Sequence, residues 1–112
     1  MVDRTQSSGR CEEIVLFRAK PGIGREALLA VLADSETWIA QQPGFIARKL
    51  SEDPEQQTWV DRVEWRSVED AKRAAAKFES APCMAEMMRV LDPESIRMVH
   101  VHAVPLPTPR AG

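Results

Sequence analysis

The chain of 112 residues contains only two cysteines, Cys11 and Cys83, far apart and with no CxxC or paired Cys/His spacing. That is too few for a disulfide-built secreted scaffold, and it offers no zinc site. Two reduced thiols are the expectation. No apolar run approaches the roughly 20 residues that a membrane helix needs. The opening stretch MVDRTQSSGR is polar and lacks the apolar core of a signal peptide. These absences point to a cytoplasmic protein with no membrane partner. Lys and Arg are scattered and the net charge is −2, so there is no basic footprint for nucleic acid. There is also no internal repeat, low-complexity tract or linker.

What is present fits one soluble domain with a modest core: 44% hydrophobic and 29% charged residues. Residues 1–11 read as a loose arm, residues 12–104 as the domain, and residues 105–112 as a Pro-rich tail that cannot continue a ladder or a helix. EEIVLFRA (12–19) is a short apolar run of strand formers, broken by KPGIG. From Arg25 to about Gln42 the period becomes helical, with Leu28, Val31, Leu32, Trp38 and Ile39 recurring on one side. Pro43-Gly44 ends that helix. Phe45–Leu50 and Thr58–Arg66 read as a hairpin around a polar turn at Glu52–Glu55. Ser67 can cap the next helix, whose stripe is Ala71, Ala74, Ala75 and Phe78. A short helix follows Pro82, with Met84, Met87, Met88 and Leu91 on its apolar side, as core packing. Residues 95–104 form a last strand.

The order β-α-β-β-α-(α)-β is the split βαβ, or ferredoxin-like, α+β unit with a four-stranded antiparallel sheet. Its helices cover one face only, so the other face needs a cover of its own. A bare apolar face of that kind usually marks an interface. The simplest partner is a second copy of the chain, giving a homodimer through the sheet face.

Several small motifs fall in a fixed order along residues 12–104. KPG (Lys20–Gly22) follows the first strand, and PGF (Pro43–Phe45) opens the second. WVDRVEWRSVEDAKRA (Trp59–Ala74) joins strand to helix, and DPESIRMVHVHA (Asp92–Ala103) closes the domain. In these the chain resembles the dimeric α+β barrel superfamily, and within it the antibiotic-biosynthesis-monooxygenase-like domains. The resemblance implies two sheets packed face to face, with a small pocket in each subunit. Trp65 stands where the heme-degrading branch has a pocket-lining tryptophan. That branch also uses a histidine on the following helix to hold iron, and here that stretch is Ala74-Ala75-Ala76-Lys77, which has no ligand. Heme degradation is therefore excluded, and no cofactor is expected.

Strand alternation carries Trp59, Asp61, Val63 and Trp65 to one face. With the resemblance, that face is expected to look into the pocket; the alternative is that both tryptophans pack beneath the helices. His100 and His102, two apart on the last strand, should share a face with Met98. An Asp61–His100 pair could abstract a proton from an acidic phenol or enol, with the carboxylate orienting the ring. Asp61 could instead serve as a structural partner of Arg48 or Arg62. Trp59, Val63, Trp65, Met98, His102 and Phe17 are the candidate substrate-binding residues around a small aromatic ligand. A metal shared by the histidines needs a third ligand such as Asp61 or Glu13, and no dedicated spacing supplies one. The expected function is an enzyme of the cofactor-independent monooxygenase type on an aromatic or polyketide-like substrate. The alternative is a non-catalytic small-molecule binding or structural homodimer module.

Overall fold

The computed structural model describes residues 9–110. Residues 1–8 of the expected arm and residues 111–112 of the tail lie outside that range. Strand β1 (Cys11–Phe17) is followed by helix α1 (Arg25–Ala40) and a hairpin of β2 (Phe45–Asp53) and β3 (Thr58–Trp65). Helices α2 (Val68–Phe78) and α3 (Met84–Val90) come next, then a 3-10 turn at Pro93–Ser95 and strand β4 (Arg97–Val101). The sheet is antiparallel in the order β2-β3-β1-β4. This is the ferredoxin-like α+β arrangement that the pattern predicts. Among the described residues no helix is long and apolar enough to cross a membrane.

Local chemistry sets the boundaries. The Ser67 hydroxyl accepts the Asp70 backbone N–H at 3.1 Å, capping α2 as the sequence predicts. Gly44 has φ +88°, and a Cβ there would fall 2.3 Å from Asp70 Oδ2. Only glycine therefore lets the start of β2 run against the start of α2. The last strand is shorter than residues 95–104. The Asp92 carboxylate accepts the Glu94 N–H at 3.1 Å, which winds Pro93–Ser95 into a turn before β4 begins. Beyond Val101 the chain has no ladder partner among the described residues.

The helices cover the face that carries Trp59, Asp61, Val63 and Trp65. Two apolar clusters fill it. Phe17, Leu28, Val31, Leu32, Trp59, Met87, Val90 and Leu91 form the first. Cys11, Val63, Trp65, Ala71 and Ala74 form the second. The small alanines of α2 let that helix lie close on the Trp65 indole. Each large side chain fully buried in this way contributes about 1.5–3 kcal/mol. On the other face Leu16, Val99 and Val101 are exposed beside the ion pairs Arg62–Glu12 and Arg10–Glu64.

Candidate functional site

Strand alternation places a charged or titratable side chain from every strand on the helix-covered face, and β2 adds a second, Glu52, opposite Trp59 and paired with Arg25. In sheet order the row is Arg48, Asp61, Glu13 and His100. Glu13 lies opposite His100 on β4 and opposite Val63 on β3, so Asp61 is its diagonal neighbour. The row runs between the two apolar clusters from one sheet edge to the other.

At the β2 end Arg48 makes a two-pronged bond to Asp61, with Nε to Oδ1 at 3.0 Å and Nη2 to Oδ2 at 2.8 Å. Its Nη1 also donates to the Ser35 hydroxyl, the Leu32 carbonyl and Glu36 on α1. Burial works against the Arg48 charge, and Asp61 and Glu36 more than restore it. This cluster ties β2, β3 and α1 together. It also settles what stands between the two indoles. Asp61 is the structural partner of Arg48, and it is not hydrogen-bonded to His100. Arg62 is on the opposite face, paired with Glu12 at 3.4 Å.

At the other end, His100 Nε2 lies 2.9 Å from Glu13 Oε2. The partner of the imidazole is thus Glu13, because β1 and not β3 lies next to β4. Burial pushes the Glu13 carboxyl up from the usual carboxylate range; His100 opposes this and the Asp61 charge adds to it. The Trp65 indole N–H lies close enough to hold the same carboxyl down. Its geometry is nevertheless too poor for a hydrogen bond, and Nε1 finds no acceptor among the described residues. A buried donor left without a partner costs about 1–3 kcal/mol. The pair is reached from the sheet edge, where β4 is only partly covered and Met98 is 47% exposed. With Glu13 ionised, the Nε2–H donates to it and the Nδ1 lone pair is left free to take a proton.

The remaining expected site residues separate. Trp65 and Val63 lie beside Glu13, but both are packed against neighbours. Trp59 and Phe17 face one another across β1 and β3, four residues along from Glu13 or its partner, about 13 Å away at strand rise. They belong to the first cluster, and the Arg25 guanidinium sits 5.2 Å over the Trp59 ring. They are too far from His100 to wall one small ring with it. His102 follows the end of β4, so the alternation that should align it with His100 no longer applies. It is exposed in a hollow shared with Arg10, Glu12 and Glu64. Among the described residues no three His, Cys, Asp or Glu side chains converge as metal ligands. Both cysteines are free, and burial pushes the Cys11 thiol up.

Sequence reasoning named Glu13 only as a metal ligand and missed it as the partner of His100. The signal was available. Cys11, Glu13, Val15 and Phe17 alternate on one face, and Glu13 is the one carboxylate in that apolar series. Ser35 and Glu36 carried no pattern of their own.

No family model matches the chain, and no curated protein sequence matches it. Solved structures do. One is SnoaB from Streptomyces nogalater, a cofactor-independent oxygenase, at 16% identity and TM-score 0.73 over 88% of this chain and 96% of that one. A candidate antibiotic biosynthesis monooxygenase from Bordetella bronchiseptica has 22% identity and TM-score 0.70 over 87% and 99%. A dimeric protein of unknown function with a ferredoxin-like fold, from Bacteroides fragilis, has 16% identity and TM-score 0.59 over 85% and 97%. At these identities the likeness is one of fold.

Proposed function

We propose that this chain, which has the α+β fold of the antibiotic-biosynthesis-monooxygenase-like proteins, is an enzyme of the cofactor-independent monooxygenase type. Its substrate is an aromatic or polyketide-like molecule with an acidic phenol or enol. The observation that carries the reading is the Glu13–His100 pair, part-buried where β1 meets the edge strand β4. His100 acts as the base, and Glu13 takes the orienting role expected of Asp61. Asp61 is not part of the catalytic pair; with Arg48 it fixes β2 and β3 beside it. Trp65 is packed core beside Glu13 and supports the pair from below. The deprotonated carbon gives its electrons to O2, forming a hydroperoxide. Loss of water from it leaves a carbonyl, so that CH2 and O2 become C=O and H2O. Met98 frames the entrance. Trp59, Val63 and Phe17 support the site as core, and His102 is outside it. We further read the enzyme as a cytoplasmic homodimer through the open sheet face, consistent with its free thiols and with Leu16, Val99 and Val101 left bare.

The test is oxygen uptake with a panel of anthrones and naphthols. His100→Ala should lower turnover about 100-fold or more. Unchanged turnover in His100→Ala on a compound the native chain converts ends this mechanism.

A second reading has its own support. Val63 and Trp65 are packed tightly beneath Ala71 and Ala74, as in a filled interior. On that reading the chain is a binding or structural homodimer module. Calorimetry on the same panel, with binding but no oxygen uptake or with neither, favours it.

A further inference from the structure

A cleft of about 610 Å³ opens where the loop between β1 and α1 meets the turn of the β2–β3 hairpin. Its volume is in the range of small-molecule sites. The floor is apolar and buried, with Leu28 1% and Trp59 7% exposed. Ile23, on the wall, packs against the same cluster. Backbone bonds hold that wall in place. The Lys20 N–H donates to the Val90 carbonyl at 2.8 Å, and the Asp92 N–H to the Arg18 carbonyl at 2.9 Å.

Three basic and two acidic side chains line the cleft. Both acids are engaged, Glu52 with Arg25 and the Asp92 carboxylate with the Glu94 N–H at 3.1 Å. Arg18 and Lys20 have no ion-pair partner among the described residues. One positive charge is therefore in excess. The Trp59 indole N–H makes no hydrogen bond among the described residues, and unlike that of Trp65 it is not sealed from solvent. Trp59 borders this cleft, so its donor opens there. A buried indole donor and two unpaired cations over an apolar floor suit an anion carried on a flat apolar body. The single excess charge matches a carboxylate better than a phosphate, which carries nearly two charges at neutral pH.

We propose that this cleft binds a small aromatic carboxylate, its carboxylate on Arg18, Lys20 and the Trp59 N–H and its ring over Leu28 and Ile23. The inference does not depend on the oxygenase reading, because Trp59 lies about 13 Å along the sheet from the Glu13–His100 row.

The experiment is titration calorimetry of the full chain with naphthoate, beside neutral naphthalenemethanol and inorganic phosphate. A parallel NMR titration follows the indole N–H signals of Trp38, Trp59 and Trp65. Naphthoate should bind about tenfold or more tighter than naphthalenemethanol, and tighter than phosphate. Arg18→Met/Lys20→Met should weaken naphthoate about tenfold or more with unchanged circular dichroism. Lys77→Met, in the last turn of α2, should leave it unchanged. Of the three indole signals, that of Trp59 should move. No naphthoate binding at about 10 mM, equal binding of the neutral analogue, or no loss in the double variant overturns the proposal. Phosphate bound as tightly as naphthoate overturns the carboxylate class. Binding that His100→Ala abolishes, with the Trp65 signal moving and that of Trp59 still, puts the ligand at the Glu13–His100 pair and also overturns it.

Discussion

Replacing Arg48 with methionine removes the cation that holds Asp61 and leaves a carboxylate only 7% exposed without a counter-charge. Two bonds to Asp61 and three to α1 are lost together. Breaking a buried pair from one side costs about 3–5 kcal/mol. At about 4–8 °C per kcal/mol for a domain near this size, the midpoint should fall by roughly 15 °C or more. Urea unfolding followed by tryptophan fluorescence measures the loss directly. Removing both charges, in Arg48→Met/Asp61→Leu, should recover most of the loss. A single-variant cost under about 1 kcal/mol, or a double variant no better than the single, would refute the claim that Asp61 is held as a structural ion pair.

Glu13→Gln should abolish turnover while making the protein more stable than native above neutral pH, with the advantage shrinking on acidification. The sign follows from the raised Glu13 pKa, whose penalty is absent below the unfolded value and complete above the folded one; denaturation midpoints at several pH values measure it. Gly44→Ala should cost about 2 kcal/mol or more, because it forces alanine to positive φ and against Asp70. Thermal unfolding within about 2 °C of native would contradict that.

The fold was legible because each element announced itself by period and punctuation. The Leu28/Val31/Leu32 spacing, Pro43-Gly44, the Ser67 cap and the alternation through Trp59–Trp65 are all local signals. The site was legible only in part. Alternation placed Asp61 and His100 on the right kind of face, but the partner of each depends on which strands lie side by side. Pairing β1 between β3 and β4 gives His100 to Glu13, and pairing β2 with β3 gives Asp61 to Arg48. His102 was misplaced because Pro105 and the missing partner end β4 early, and nothing within IRMVHVHAV marks that point. The burial of Trp59 follows from α1 and α3 meeting over it, a long-range contact that no window of sequence contains.

The polar row also bears on how faithfully the sheet assembles. A β-strand that slips by one residue turns every side chain to the other face. Valines and leucines tolerate many apolar neighbours, so on their own they would police such an error weakly. Here each strand carries one member of a charged series. A slip in β2 strands Asp61, and a slip in β4 strands Glu13. Each mistake leaves a buried group without its match, at several kcal/mol. The row thus acts as a proofreading mark carried by every strand, which disfavours mispaired chains as the sheet assembles.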